Sequence, residues 1–165
     1  AKPPSTKTAP RKRTTLRSVT KAKPLRVLCA EDNQHGRTIL ATILSALGHK
    51  AAFVADGESA AARAQSKPAD VILLDVTMAD LDGFATARRI RAFPGAAGRV
   101  PIIGISGHGG DDRARTAQAA GMNAYLVKPI TPHALAAALD AVTNTPDRAT
   151  RGGKTRRSPA IRSRQ

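Results

Sequence analysis

Four places in this chain carry side chains suited to phosphoryl and metal chemistry. Glu31-Asp32 follows the apolar run Leu25 to Ala30, and Asp75 ends the run Val71-Ile72-Leu73-Leu74. Ser106 follows Ile102-Ile103-Gly104-Ile105, and Lys128-Pro129 follows Ala124 to Val127. In a parallel α/β sheet all four places meet at one edge, outside the carboxyl ends of the strands, where ligands bind. Three carboxylates crowded there repel one another unless a cation joins them. Mg²⁺ suits the place, because it takes oxygen ligands and keeps several waters beside a phosphate. Asp75 and Asp32 are the best direct ligands, Glu31 would act through water, and a backbone carbonyl after Asp75 would add an oxygen. Lys128 is a compact cation on a flexible stem, suited to balancing a phosphoryl oxygen. The Ser106 hydroxyl can donate to a phosphate, and Gly107, Gly109 and Gly110 leave that approach open.

The elements that position these residues are legible in the pattern. Strand signals fall at about 25–30, 50–54, 71–75, 101–105 and 123–127. Those at 71–75 and 101–105 are short and nearly all apolar, as for strands buried on both faces. A helix signal follows each strand. In 34–47, Gly36, Ile39, Leu40, Ile43, Leu44 and Leu47 share one face, and Gly48 stops the helix. Residues 57–66 form an Ala-rich helix capped by Asp56. Residues 82–92 end before Pro94-Gly95, and 111–120 end at Gly121. Residues 132–143 open with Thr131 as cap and Pro132 in the first turn. Five strand-helix units predict an α/β fold, a five-stranded doubly wound parallel sheet with five helices. The flavodoxin-like order 2-1-3-4-5 is the common solution, and it places Glu31-Asp32 beside Asp75.

The chain has 165 residues and a net charge of +15. Its charge is uneven: residues 1–24 hold eight Lys/Arg and no acid, and 146–165 hold seven Lys/Arg and Asp147. Residues 25–145 hold twelve basic and eleven acidic residues, so the central domain is nearly neutral. Residues 1–24 and 146–165 are rich in Pro, Ser, Thr, Lys and Arg and poor in large apolar residues, which reads as basic disordered tail or linker. A tether to other domains fits that composition. Contact with nucleic acid or acidic lipid is the second reading, without aromatic residues for stacking, and simple solubility is the third. The initial Ala fits excision from a longer protein or removal of Met. No apolar run is long enough to span a bilayer, and no signal-peptide pattern opens the chain. The single cysteine, Cys29, lies inside an apolar run and reads as an inert buried thiol. With no disulfide possible within the chain, a reducing, cytoplasmic location is expected.

Five segments in order resemble the receiver domain of two-component response regulators, over about residues 24–144. They are Val27-Leu28-Cys29-Ala30-Glu31-Asp32-Asn33, Val71-Ile72-Leu73-Leu74-Asp75-Val76-Thr77-Met78, Asp82-Gly83, Ile102-Ile103-Gly104-Ile105-Ser106 and Ala124-Tyr125-Leu126-Val127-Lys128-Pro129. Each alone is weak, and together they are specific. The resemblance implies that Asp75 accepts a phosphoryl group from the phosphohistidine of a histidine kinase or a histidine phosphotransfer domain. It implies Mg²⁺ on Asp32, Asp75 and the backbone carbonyl of Thr77, with Lys128 on the phosphoryl group and a cis bond to Pro129. Ser106 would move toward the phosphoryl group and Tyr125 would change rotamer, altering the surface of the fourth helix, fifth strand and fifth helix. The acceleration would be positioning and charge neutralisation. Where the family often has Pro after the residue matching Met78, this chain has Ala79. Thr77 and His108 stand at positions that influence loss of the phosphoryl group. The Ala-Glu-Asp-Asn stretch resembles receivers of hybrid sensor histidine kinases, and a single-domain regulator is the other context. A homodimer is a further possibility for such a surface.

Blander readings stand beside these. Glu31-Asp32 alone would suit a helix N-terminus, Asp75 alone a strand-end turn, and Tyr125 plain packing. His35, His49 and His133 lack metal-ligand spacing and read as surface residues. A haloacid dehalogenase-type phosphatase also uses a strand-end Asp and Mg²⁺, but needs a second Asp where this chain has Thr77. A flavodoxin-like binding module would place a phosphate against Glu31-Asp32, which repel it without metal. A receiver-like scaffold that is never phosphorylated would not need the complete acceptor set.

Overall fold

The structure, a computed structural model, describes residues 23–78 and 82–144. The linker readings of 1–22 and 145–165 and the substitution at Ala79 lie outside these residues. The described elements are β1 (Arg26–Ala30), α1 (Gln34–Ala46), β2 (Lys50–Val54), α2 (Gly57–Ser66), β3 (Val71–Asp75), α3 (Gly83–Arg91), α4 (Gly95–Arg99), β4 (Ile102–Ser106), α5 (Asp111–Ala119), β5 (Ala124–Val127) and α6 (Pro132–Thr143). The strands form one parallel sheet in the order β2-β1-β3-β4-β5. This is the flavodoxin-like order expected, with β1 and β3 adjacent through Cys29↔Leu73 and Ala30↔Leu74.

Alternation along the strands builds two cores. Leu28, Ile72, Leu74 and Ile102 face α2, α3 and α5, where Ala60, Ala87, Ile90 and Ala117 meet them. Val27, Cys29, Leu73, Ile103 and Ile105 face α1 and α6, where Leu40, Leu44, Leu135 and Leu139 meet them. Cys29 is fully buried in the second core, and burial pushes its thiol up to about 12, so it is inert as expected.

Helix boundaries follow their caps. Asp56 accepts from the Ser59 N–H at 2.6 Å, Thr131 Oγ1 accepts from the Ala134 N–H at 3.1 Å, and Gly48 takes the left-handed turn after α1 at φ 81°. Two expectations need correction. There are six helices among the described residues, not five, because 95–99 forms the short α4. Its sequence Gly-Ala-Ala-Gly-Arg reads as a loop, and the helix is imposed from outside. Gly98 lies so close to the Phe93 carbonyl that a Cβ would collide with it, and Arg91 Nη1 donates to the carbonyls of Gly98 (3.0 Å) and Val100 (2.7 Å). His49 is half-buried rather than a surface residue, and its Nδ1 accepts from the Leu25 N–H at 3.3 Å.

Candidate active site and metal centre

β1, β3 and β4 end together, and their last turns build the site. Glu31 and Asp75 are buried, at 1% and 3% exposure, while Asp32 is exposed. One oxygen from each of the three carboxylates falls within 4.8 Å of the others. Lys128 Nζ bridges two of them, 2.9 Å from Glu31 Oε2 and 2.8 Å from Asp75 Oδ2. The bond between Lys128 and Pro129 is cis. The other Asp75 oxygen, Oδ1, accepts from the Thr77 N–H (2.7 Å) and from Thr77 Oγ1 (2.6 Å). Burial pushes the Asp75 carboxyl up, but the hydrogen bonds from Lys128 and Thr77 outweigh it and hold it below its ordinary value. Burial likewise pulls Lys128 down, and its bonds to Asp75 and Glu31 outweigh that and raise it. The pair therefore stays charged at neutral pH. The donor set is oxygen only, with three carboxylates drawn together. That fits a hard divalent cation such as Mg²⁺.

Several supporting residues have contacts that the sequence pattern does not show. Asn33 donates its N–H to Glu31 Oε1 (3.0 Å), and its side chain accepts from the His35 and Gly36 N–H groups at the start of α1. Arg37 Nε donates to the Glu31 carbonyl at 2.7 Å. Gly36, read from the sequence only as part of a helix face, leaves the space the Glu31 carboxylate fills: a Cβ there would sit 2.6 Å from Glu31 Cδ and Oε2. Gly83 does the same for α3, where a Cβ would lie 2.6 Å from the Asp75 carbonyl oxygen. The resemblance marks Gly83 through the Asp82-Gly83 segment, and only the close approach of chain segments shows why each of these positions needs glycine.

Ser106 is fully buried as the last residue of β4, and its Oγ accepts from the His108 N–H at 3.1 Å. His108 is exposed. Tyr125 on β5 donates its hydroxyl to the His108 carbonyl at 3.0 Å, and Gly104 makes room for its ring. The cavity over the site, about 560 Å³, is bordered by His35, Ile39, Pro129 and Ile130 besides the acidic groups, Thr77 and Lys128.

The family model for the response regulator receiver domain matches residues 27–140. A gliding motility regulatory protein of Myxococcus xanthus is 40% identical over 123 residues, covering 74% of this chain and 16% of that protein. The sensor histidine kinase GacS of Pseudomonas protegens is 32% identical over 113 residues, covering 67% of this chain and 12% of that one. The chain thus spans under a fifth of the length of these two relatives. Among solved structures, the receiver domain of a sensor histidine kinase from Pseudomonas aeruginosa PAO1, with a magnesium ion coordinated in its active-site cleft, matches with a TM-score of 0.69 and 32% identity. That match covers 74% of this chain and all of the other. The chemotaxis protein CheY4 of Vibrio cholerae matches with a TM-score of 0.67 and 28% identity over 73% of this chain and 99% of that one. Fold, acidic edge and sequence likeness agree, and this chain belongs to the response regulator receiver family of two-component signalling.

Proposed function

We propose that this domain accepts a phosphoryl group on Asp75 from the phosphohistidine of a histidine kinase or histidine phosphotransfer domain and switches a protein-binding surface in response. The observation that carries the reading is the Lys128 ammonium held between the buried carboxylates of Glu31 and Asp75. An oxygen of Asp75 attacks phosphorus in line, the N–P bond breaks, and the leaving imidazole nitrogen keeps its electron pair. Asp75 enters that step ionised, because its bonds to Lys128 and Thr77 favour the charged form. Lys128 then balances the phosphoryl oxygens, and the Ser106 hydroxyl donates to them. Asp32, Asp75 and the Thr77 backbone carbonyl would hold Mg²⁺, with Glu31 acting through water, and the ion would supply positive charge against the phosphoryl oxygens. Thr77 and His108 tune hydrolysis of the acyl phosphate. Ser106 and Tyr125 carry the change to the face of α5, β5 and α6.

The receiver spans 25–145, with 1–24 and 146–165 as basic linkers. As a module it catalyses only its own phosphorylation. Its setting is the cytoplasmic receiver of a hybrid sensor histidine kinase, which the sensor-kinase relatives support, or a stand-alone regulator able to form a homodimer. No described helix is long and apolar enough to cross a membrane. A dehalogenase-type phosphatase is disfavoured, because Thr77 stands where that chemistry needs an acid and donates to Asp75 instead.

The test is intact mass after incubation with acetyl phosphate, with and without Mg²⁺, for the chain and for Asp75→Asn. A Mg²⁺-dependent gain of one phosphoryl group, absent in the variant, is expected. No gain from acetyl phosphate or from phosphorylated histidine kinases would replace this reading with a scaffold that is not phosphorylated.

A further inference from the structure

The lateral edge of the sheet that β2 forms is open. Among the described residues, β2 is an outermost strand and pairs with β1 alone. The Lys50 N–H donates to the Leu25 carbonyl (2.8 Å) and the Val54 carbonyl accepts from the Glu31 N–H (3.1 Å), so these two residues turn their main chain toward β1. Main-chain groups alternate in direction along a strand, and those of Ala51 and Phe53 therefore point away from the sheet. A row of outward N–H and C=O groups is a template for another extended chain. Ala51 is exposed and carries no side chain long enough to shield them.

Beside that edge lies a basic groove. Arg26, Lys50, Arg63 and Lys67 rim a cavity of about 280 Å³, with Leu28 and Ala52 beneath them. Leu28 and Ala52 stand opposite each other in the β1–β2 register, and both belong to the core on the α2 side of the sheet. Arg26 is already engaged, since its Nε, Nη2 and backbone N–H donate to the Asp70 carboxylate at 3.2, 2.9 and 2.7 Å. Lys50, Arg63 and Lys67 take part in none of the ion pairs among the described residues. They come from β2, from the last turn of α2 and from its C-cap. Complementing the dipole of α2 accounts for Arg63 and Lys67 but not for Lys50. A lone lysine is enough to guard an edge strand against unwanted pairing, whereas here unpaired cations from separate elements surround one groove.

We propose that this groove and the open edge of β2 dock an extended acidic segment of a partner protein, which adds to the sheet as a strand beside β2. The two observations ask for two kinds of chemistry in one ligand. The outward main chain of Ala51 and Phe53 calls for a peptide, because a phosphate or a nucleic-acid backbone has no alternating N–H and C=O groups to pair with it. The unpaired cations call for carboxylates. In an extended chain every second side chain shares one face. A segment with an acid at alternate positions thus directs its carboxylates to the α2 side, toward Lys50, Arg63 and Lys67. The groove lies where the strands begin, and Asp75 lies where β3 ends. A partner held there leaves the acidic site open, and whatever is tethered to the segment is kept at raised local concentration around the domain.

The test is fluorescence anisotropy of a labelled peptide of alternating Glu and Val, titrated with the full chain at low and high NaCl. Saturable binding that weakens with salt is expected, and a Lys-Val peptide of the same length should not bind. Lys50→Gln/Lys67→Gln should weaken binding about fivefold at low salt, and Lys67→Gln alone about twofold. Ala51→Pro deletes an outward N–H that β1 does not use and should weaken binding about tenfold. Circular dichroism checks that each variant is folded. Peptides N-methylated on every Val or on every Glu test strand pairing against the unaltered chain. Only one of the two sets turns its N–H groups toward β2, so one peptide should lose binding and the other keep it. Equal binding by the two N-methylated peptides overturns the added strand. Equal binding by the Lys-Val peptide, or an unchanged affinity in Lys50→Gln/Lys67→Gln, overturns recognition by charge. No binding of the Glu-Val peptide, with or without salt-dependent self-association of the chain through its own acidic edge, overturns the proposal.

Discussion

Replacing Lys128 with Met removes the cation that holds the site together, and the structure sets the size of the effect. The ammonium lies 2.9 Å and 2.8 Å from two carboxylates whose side chains are 1% and 4% exposed. Deleting one partner of a fully buried ion pair costs about 3–5 kcal/mol, because the remaining charge is stranded. Here the Lys128 side chain is itself 34% exposed, so water screens it. Asp75 also keeps two donors from Thr77, and Glu31 keeps the Asn33 N–H. A loss of about 1–3 kcal/mol follows. The sign with pH is fixed. Asp75 is held below its ordinary value, so it stabilises the parent above the ordinary carboxylate range, and this is lost as pH falls through the lowered value. Without Lys128, the push of burial on the Asp75 carboxyl is opposed only by Thr77, and the variant takes up a proton there more readily. The gap between the two proteins should therefore be widest near neutrality and close in acid. Millimolar Mg²⁺ should also narrow it, since a ligand at ten times its dissociation constant adds about 1.4 kcal/mol, and in the variant Glu31 and Asp75 have lost the competing ammonium. Urea unfolding followed by far-ultraviolet circular dichroism, at several pH values with and without Mg²⁺, measures all of this. A loss under about 0.5 kcal/mol at neutral pH, or one indifferent to both pH and Mg²⁺, would refute the reasoning.

Three further outcomes are expected. Gly36→Ala, which in an ordinary helix gains up to about 1 kcal/mol, should here lose about 1–3 kcal/mol and weaken Mg²⁺ binding, because its Cβ meets the Glu31 carboxylate; Mg²⁺ titration by the change in thermal midpoint checks both. Arg91→Leu should cost about 2–4 kcal/mol in urea unfolding, by removing charged donors to the Gly98, Val100 and Gly121 carbonyls and to Asn123 Oδ1, while Asp75 at the opposite edge still takes up phosphoryl from acetyl phosphate. Cys29 should resist iodoacetamide at mildly alkaline pH in the folded chain and react at once in denaturant; because its thiol is raised to about 12, its contribution to stability is whole below the unfolded thiol range and fades as pH climbs toward that value.

The strands and the acidic edge were legible because they depend on local signals. A parallel strand buried on both faces must be nearly all apolar, so the residue that breaks the run, Asp75 or Glu31, announces the sheet edge. The order of the sheet then follows from connection rules, and it brings Glu31, Asp32, Asp75 and Lys128 together. The features that escaped are those decided by a second segment. α4 exists because Arg91 collects carbonyls on either side of it and Gly98 tolerates the Phe93 carbonyl, neither of which alters the local pattern. Arg91 itself looks like one more surface cation in a basic last turn. Gly36 looks like a tolerated helix glycine and Gly83 is marked only by the family resemblance, whereas each clears the path for a carboxylate or a carbonyl of the site. Arg37 reaches back six residues to the Glu31 carbonyl, a contact that no helical or strand period predicts.

Ser106 at the acidic edge and Tyr125 on β5 meet on one backbone unit, His108. Ser106 Oγ accepts from the His108 N–H, and the Tyr125 hydroxyl donates to the carbonyl of the same residue. Around it stand Gly107, Gly109 and Gly110, and a Cβ at Gly107 or Gly110 would meet nothing within 4 Å. Little side-chain packing therefore holds this loop, and its position rests largely on such hydrogen bonds. In the proposed switch, a Ser106 hydroxyl drawn toward a phosphorylated Asp75 gives up the His108 N–H, and the carbonyl that anchors Tyr125 is then free to shift. Each neutral hydrogen bond contributes about 1 kcal/mol net, so the two together bias the Tyr125 rotamer by about 2 kcal/mol, roughly a thirtyfold ratio. A tie of that size is strong enough to hold one state at rest. It is also weak enough for a single charged phosphoryl group, accepting hydrogen bonds about twice as strong, to reverse it.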